Sequence, residues 1–363
     1  MKINKKFWKK KNVLITGHTG FKGGWLTVLL NNLNSKIYGY SLNPKGKYNF
    51  FNSVKIKGIY KKEYRKDIRN ISSLKQCIDY CKPEIIFHLA AQSSVIESFK
   101  DPSNTISTNI IGTSNLLEAT KNSKHVKCII IITTDKVYQN YKTKKYFDEN
   151  SILGGDDIYS GSKACCEIIT NSYEKSFFSK SNCNIATVRA GNCFGGGDWT
   201  EDRIVKDCLE SFFQNKNLLL RNPKANRPWQ HVIEPLVGYL LLAEKLYFRN
   251  TKFKGPWNFG PSKRQNMKVI SLANIFKSIV KSSSRIIIKE KDNRFQNKKF
   301  KVFESKHLNI NSSKAFRKLK WKPKLSIKKA ALLTCEWYSA FLQKRNLLEI
   351  TKKQIKDYIT NNI

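Results

Sequence analysis

The sequence predicts an α/β fold: a doubly wound parallel sheet followed by a smaller C-terminal substrate domain. Three observations carry that expectation. Short apolar runs of β type alternate with segments of helical apolar spacing as far as residue 180. The first of these runs ends in a glycine-rich turn that opens directly onto a helical segment. Beyond residue 190 the alternation gives way to loop-like and strongly polar stretches.

Residues 12–17 (Asn-Val-Leu-Ile-Thr-Gly) read as a buried strand, since a parallel strand covered on both faces is apolar without alternation. Gly17-His-Thr-Gly20-Phe-Lys-Gly23 follows, then Gly24-Trp-Leu-Thr-Val-Leu-Leu with helical spacing. A strand, a glycine turn and a helix in that order let backbone approach a pyrophosphate whose charge sits on the helix N-terminus. The plainer reading is the turn of an ordinary βα unit, and the spacing is Gly-x-x-Gly-x-x-Gly. Residues 36–42 read as the second strand. Ser41-Leu-Asn-Pro stands where a ribose-binding aspartate is expected, so this position does not select NAD over NADP.

Arg65-Lys-Asp67-Ile-Arg69 reads as a strand end, with Asp67 either meeting an adenine or lying in a helix N-cap region. Residues 85–91 (Ile-Ile-Phe-His-Leu-Ala-Ala) form another buried strand with small residues at its C-terminal end, where a ligand lies in such sheets. Residues 104–120 are helical. Residues 129–134, four isoleucines and two threonines, deliver Thr134, Asp135 and Lys136 to the sheet's C-terminal edge. Residues 157–178 form a long helix carrying Tyr159 and Lys163. Four residues apart, these two share a helical face, with Cβ atoms about 6 Å apart. An ammonium beside a phenol favours the phenolate, and a phenolate can take the proton of a secondary alcohol that is losing hydride.

After a strand at 185–189, residues 192–202 are loop-like, with Gly195-Gly-Gly197. Helices are expected near 203–215 and 234–248, a short strand at 256–260, and a final helix at 327–343. Residues 281–303 are polar and basic and read as surface loops and strands. The expected organisation is a dinucleotide domain over 1–190 with 232–262 packing back on it. A substrate domain spans 191–231 and 263–343, and a peripheral basic tail spans 344–363.

The apolar fraction of 40% supports a sizeable core, and the net charge is +40. The basic residues, among them Lys5, Lys6, Lys61, Lys62, Lys298 and Lys299, are scattered rather than interleaved with aromatics along one element. That pattern argues against a specific nucleic-acid partner and for a field that draws in an anionic substrate. Nine cysteines without a Cys-x-x-Cys pair read as reduced thiols of a cytoplasmic protein. The histidines (His18, His88, His125, His231, His307) lack metal-ligand spacing, so no metal site is expected, and no run reaches the length of a membrane span.

The ordered set of motifs resembles the extended short-chain dehydrogenase/reductase family, and within it the 4,6-dehydratases acting on CDP-glucose. The resemblance covers roughly residues 10–340. It rests on the glycine turn, His88-Leu-Ala-Ala91, Thr133-Thr-Asp-Lys136, Tyr159-x-x-x-Lys163 and Arg189-Ala-Gly-Asn192. Further along it rests on Gly195-Gly-Gly-Asp-Trp199 with Glu201-Asp-Arg203, and on Arg221-Asn-Pro223 through Arg227-Pro-Trp-Gln-His231. The resemblance implies a Rossmann-type domain holding NAD tightly through Gly17, Thr19, Gly20, Phe21, Lys22, Gly23, Asp67, Ile68, Leu89, Ala90, Ala91, Tyr159 and Lys163.

It further implies that Tyr159 is the base at the sugar C4 hydroxyl, with Lys163 lowering its pKa and Thr134 bonding the C4 oxygen. Asp135 is then the acid and Lys136 the base of water loss. Relatives acting on dTDP-glucose carry Glu at the Lys136 position. CDP-glucose would be held by Asn192, Arg203, Arg221, Arg227 and Trp229. For the arginines the chemistry is bidentate recognition of phosphate. Trp199 and Trp229 are either pocket walls or core residues, and His231 is expected to be a hydrogen-bonded core residue. A homodimer, or a dimer of dimers, built on the helices near 104–120 and 157–178 is also implied. Other readings of the same scaffold are a dTDP- or GDP-sugar dehydratase or an epimerase, and, more distantly, a basic nucleic-acid-associated protein.

Overall fold

The computed structural model describes residues 3–140, 146–248, 251–262, 265–288 and 308–360. Twelve strands lie among them. Seven form one parallel sheet: β1 (Asn12–Thr16), β2 (Lys36–Ser41), β3 (Lys62–Arg65), β4 (Ile85–His88), β5 (Cys128–Ile132), β6 (Asn184–Ala190) and, later in the chain, β10 (Gly255–Phe259). The order is β10-β6-β5-β4-β1-β2-β3, so the chain starts in the middle and reverses between β1 and β4. A crevice opens at such a switch point, beyond the strands' C-terminal ends. β4, β5 and β6 are buried along their whole length, which explains their unbroken apolar runs.

Helices cover both faces. Phe21–Asn31 and Ile233–Tyr247 pack on one side, their apolar residues joining Val13, Ile15, Ile130 and Val188 in the larger core. Ile71–Cys81 and Gly112–Thr120 pack on the other, against Leu14, Ile86, Ile129 and Ile131. Local chemistry sets several of the helix starts. Asn70 caps Ile71–Cys81 by accepting from the Ser73 amide, and Asp157 caps Ile158–Tyr173 by accepting from the Ser160 amide. The helical runs at 102–120 and 158–178 each contain a π-helical turn.

A smaller lobe holds β7 (Asn192–Phe194), β9 (Asn226–His231) and β11 (Asn266–Lys268) in one sheet, and β8 (Leu218–Leu220) with β12 (Ile286–Ile288) in another. The helices Ile204–Phe213, Val269–Val280 and Ile327–Leu342 support it.

The structure differs from the expected organisation at two places. The stretch expected as a peripheral tail over 344–363 is packed as far as it is described, because Leu347–Thr360 is a helix packed on Phe21–Asn31 and Ile327–Leu342. Leu347, Ile355 and Tyr358 are buried there, and Trp337 donates to Thr351 Oγ1 at 3.0 Å. The lysines of this stretch mask an amphipathic helix. Residues 309–320 sit with the large sheet rather than the small lobe: Phe147 and Asn309 to Asn311 exchange backbone hydrogen bonds, and the Ser313–Leu319 helix packs on β10. Of the basic segment, residues 289–303 with Lys298 and Lys299, and also His307, lie outside the described residues. Among the described residues no helix is long and apolar enough to cross a membrane.

Candidate active site

One cleft of about 1570 Å³ runs along the C-terminal edge of the large sheet and under the small lobe. Sites for one small ligand usually measure roughly 300–1,000 Å³, so this cleft has room for two.

Its floor begins at the glycine turn. Gly17 has φ +73°, and a Cβ there would meet the Ala90 nitrogen at 2.6 Å, because the chain leaving β4 crosses directly over it. At Gly23 a Cβ would lie 2.3 Å from the Gly17 oxygen. Both glycines are therefore required by close backbone approach. Gly20 caps Phe21–Asn31 without a side-chain acceptor, leaving the first amides of that helix facing the cleft. A dinucleotide's pyrophosphate fits this arrangement of backbone donors.

The turn is fastened from below. Thr16 Oγ1 accepts from the Ala90 amide at 3.2 Å and lies 2.7 Å from His88 Nδ1, while His88 Nε2 lies 3.1 Å from Thr113 Oγ1. Thr113 spends its proton on the Asn109 carbonyl at 2.7 Å. His88 therefore donates from Nε2 and accepts at Nδ1 as a neutral ring, and burial pushes its pKa down to about 3.

The reactive corner lies where β5 ends. Thr134 Oγ1 donates to Asp135 Oδ1 at 3.1 Å and also shares a hydrogen bond with the Tyr159 phenol. Asp135 is buried, and its Oδ2 has no hydrogen-bond partner. Burial raises its pKa, against the pull of Lys136, the Thr134 hydrogen bond, Lys22 and Arg227. A buried carboxyl with a raised pKa and an orphaned oxygen, in a polar cleft, is placed to donate to a leaving oxygen. Lys163 is buried too, and burial lowers its pKa.

Here the structure corrects an expectation. The Lys163 ammonium donates to the Ile132 carbonyl at 3.1 Å, and burial pushes Tyr159 up to about 12 rather than down. Opposing influences on Tyr159 come from Thr134 and Arg203.

The cleft brings together Gly17, Thr19, Gly20, Phe21, Lys22, Gly23, Asp67, Ile68, Leu89, Ala90, Ala91, Thr134, Asp135, Lys136, Tyr159, Lys163, Asn192, Arg203 and Arg227. Asp67 there is ion-paired to Arg69, Oδ2 to Nη2 at 2.6 Å, which holds its carboxyl below the usual range. Two expected residues lie elsewhere. Arg221 does not line the cleft but pairs with Asp202 at 2.8 Å. Trp229 is a core residue donating to the Met267 carbonyl at 3.1 Å, whereas Trp199 lines the cleft, packed against Tyr48 and Phe341. His231 is buried, with Nδ1 accepting from the Ile233 amide.

Sequence reasoning missed Glu167, which accepts from Thr133 Oγ1 at 2.6 Å beneath the reactive corner. Its spacing, four residues beyond Lys163 on the same helical face, was the available signal. It also missed Tyr48, Lys45 and Lys66, which line the cleft from loops and strand ends with no motif to mark them.

The chain matches the family model described as GDP-mannose 4,6 dehydratase over residues 14–332. It is similar along its whole length to the CDP-glucose 4,6-dehydratase of Salmonella typhimurium, with 36% identity over 363 residues and 99% of each chain covered. Two solved structures share the fold. The UDP-glucose 4-epimerase of Thermotoga maritima, solved with UDP-glucose, matches with TM-score 0.78 and 21% identity over 91% of this chain and 99% of that one. The dTDP-glucose 4,6-dehydratase of Bacillus anthracis, in complex with NAD, matches with TM-score 0.76 and 21% identity over 93% and 99%.

Proposed function

Because the chain belongs to the GDP-mannose 4,6 dehydratase family, we propose that it is a hydro-lyase converting CDP-glucose to CDP-4-dehydro-6-deoxyglucose. The observation that carries this reading is Thr134, whose hydroxyl joins the Tyr159 phenol and the buried Asp135 carboxyl, its pKa raised by burial, at one point of the cleft. An oxidation at C4 and an elimination across C5 and C6 need a base and an acid on the same hexose, and this corner offers both. The choice of CDP-glucose rests on the Salmonella typhimurium relative's name and its full-length similarity.

The residues present fit a nicotinamide dinucleotide, and NAD, when bound, would accept hydride from C4 and return it to C6. The glycine turn, Asp67, Ile68, the Leu89 to Ala91 backbone, Tyr159 and Lys163 would hold it. Tyr159 takes the C4 hydroxyl proton, and Thr134 steadies the C4 oxygen. The C4 ketone acidifies the C5 proton. Lys136 takes that proton, Asp135 gives its own to the C6 oxygen, which leaves as water, and Lys136 returns a proton to C5 as C6 is reduced. Arg203 and Arg227 face the diphosphate, and Asn192 the sugar or phosphate.

The reading extends to a homodimer through the helices at 102–120 and 158–178. It is supported by Ile106, Ile111, Ile168 and Phe177, large apolar side chains left exposed on those helical runs.

The test is incubation with CDP-glucose and, separately, dTDP-glucose, following the 4-keto-6-deoxy product by its absorbance in alkali. Turnover of CDP-glucose alone is expected. Turnover confined to dTDP-glucose overturns the choice of base, and no product from either overturns the dehydratase reading.

A further inference from the structure

We propose that the edge of the large sheet opposite the cleft is a docking face for an anionic phospholipid surface, on which the protein adsorbs with its cleft turned to solvent. The proposal is independent of the dehydratase reading, since it concerns the other end of the sheet.

The chain enters β1 to β6 at this edge, and the six entering stretches lie side by side. The Lys61 amide donates to the Ile37 carbonyl, Lys36 to Lys11, Glu84 to Asn12, Lys127 to Glu84 and Asn184 to Lys127, each at 2.8–2.9 Å. Strands about 4.8 Å apart make this row roughly 24 Å wide. Each stretch carries an exposed lysine: Lys10, Lys36, Lys61, Lys82, Lys124 and Lys180. Among the described residues none of the six takes part in an ion pair. Among the described residues Glu84 is also the one carboxylate on these stretches, and Lys11 takes it at 2.7 Å. The helices ending at this edge present about half a negative charge each, less than the lysine that follows them.

The cleft edge has a different make-up. Nine of the chain's 27 acidic residues line the cleft, against eight lysines and arginines. The cleft is thus close to neutral among the described residues, and the lysines scattered in the sequence are gathered in space at the far edge.

An apolar anchor lies beside the row. The helix Ile233–Tyr247 ends where β6 begins, with Asn184 Nδ2 donating to the Leu246 carbonyl at 2.7 Å. Phe248, just beyond, is 70% exposed, its ring braced by Phe7 at 5.6 Å and Tyr247 at 5.3 Å. Phe7 belongs to the Lys5–Trp8 helix, whose Lys5 and Lys6 are exposed. A large apolar ring among lysines suits the headgroup boundary, where the ring enters and the ammoniums meet phosphates.

The chemistry favours lipid over nucleic acid. Among the described residues these stretches hold lysine but no arginine, the residue that grips single phosphates bidentately and reads base edges. Point charges spread along a row match a diffuse anionic surface, each lysine contributing about fivefold in binding.

Sedimentation of the full chain with vesicles tests this, using phosphatidylcholine alone and phosphatidylcholine with phosphatidylglycerol in about a 2:1 ratio. Binding to the anionic vesicles only is expected, weakening about tenfold or more as salt rises from roughly 0.05 to 0.5 M. The Lys36→Glu, Lys82→Glu, Lys124→Glu triple variant should weaken it about a hundredfold or more. Lys216→Glu, Lys281→Glu, Lys328→Glu, an equal charge change on the small lobe, should weaken it less than about threefold. All six side chains are exposed, and the thermal midpoint of each variant checks its fold. Phe248→Ser should weaken binding about tenfold and leave its salt dependence unchanged.

No binding to the anionic vesicles, or equal loss in the two triple variants, overturns the proposal. Tighter binding to a DNA duplex of about 20 base pairs than to the vesicles at the same salt assigns the face to nucleic acid and overturns it too. Each of these results leaves the dehydratase reading standing, since that reading is tested by turnover.

Discussion

Glu167 and Arg189 form a bidentate ion pair inside the protein, Nε to Oε1 at 2.9 Å and Nη2 to Oε2 at 3.0 Å, directly beneath Thr133. Thr133 donates to the same carboxylate at 2.6 Å, and Thr187 donates to its other oxygen. Arg189 reaches on to the Tyr138 hydroxyl at 2.8 Å, which donates to Asn258 on β10 at 2.6 Å. One buried network thus ties the Tyr159 helix, the ends of β5 and β6, and the sheet edge into one unit. Removing one partner leaves the other charge buried and alone, which costs about 3–5 kcal/mol. Glu167→Ala is expected to destabilise by that amount, and Glu167→Gln, which keeps an acceptor, by less. Urea unfolding midpoints check both.

Asp135→Asn should separate the two halves of the reaction. The amide keeps the volume and an acceptor for Thr134, but it has no proton of carboxylic acidity for the leaving oxygen. General acid catalysis contributes about 10²–10⁴ in rate, and product formation should fall by that factor. Binding of NAD and CDP-glucose should stay within about twofold, since no charge-assisted bond to either is lost. Single-turnover product assays and calorimetric binding give the two readouts, and full turnover by the variant removes Asp135 from the mechanism.

Tyr159 sets a pH dependence of definite sign. Burial holds its pKa near 12, so the proton-accepting form is scarce at neutrality and grows as pH rises. Before any loss of fold, kcat/KM should rise with pH through an alkaline limb. Thr134→Val removes the hydrogen bond shared with the phenol, so the limb should move. A pH–rate profile unmoved in Thr134→Val contradicts the shared hydrogen bond.

The strands and the glycine turn were legible because burial on two faces leaves an apolar signature and close backbone approach demands glycine. Tyr159, Lys163, Thr134 and Asp135 were legible as motifs because helix pitch and strand ends fix their direction. What escaped was tertiary. The Lys163 bond to the Ile132 carbonyl depends on how helix meets strand, not on four-residue spacing. Arg221 and Trp229 lie in a recognisable motif, yet their side chains turn to Asp202 and to the core. The helix Leu347–Thr360 was masked by its lysines, although Leu347, Thr351, Ile355 and Tyr358 recur at helical spacing.

That helix gives a further prediction. Leu347, Ile355 and Tyr358 are almost fully buried, and each buried apolar side chain contributes about 1.5–3 kcal/mol. Truncation before residue 344 should therefore cost several kcal/mol and expose the back of the Phe21–Asn31 helix. Thermal unfolding of the truncated chain measures the loss. A truncated chain with unchanged stability would show the helix to be dispensable.

Buried histidines set the acid stability. Burial pushes both His88 and His231 down to about 3 from an ordinary 6.5. Above pH 6.5 both rings are neutral in the folded and unfolded chains, so their contribution is fully present. As pH falls from 6.5 toward 3, the unfolded chain takes up two protons that the folded chain refuses, and stability is lost. Each contributes a slope of about 1.4 kcal/mol per pH unit. Glu234 works the other way. Burial lifts it to about 7 from 4.5, so between those values the folded chain holds a proton that the unfolded chain lacks, which offsets one histidine. These three groups together leave a slope of about 1.4 kcal/mol per unit from pH 6.5 to 4.5. Glu234→Gln removes the offset while keeping an acceptor for the Lys324 and Leu325 amides. Its stability should fall more steeply with acid, by about 1.4 kcal/mol per pH unit, as read from urea midpoints across that range. An unchanged slope would mean that Glu234 is ionised in the fold.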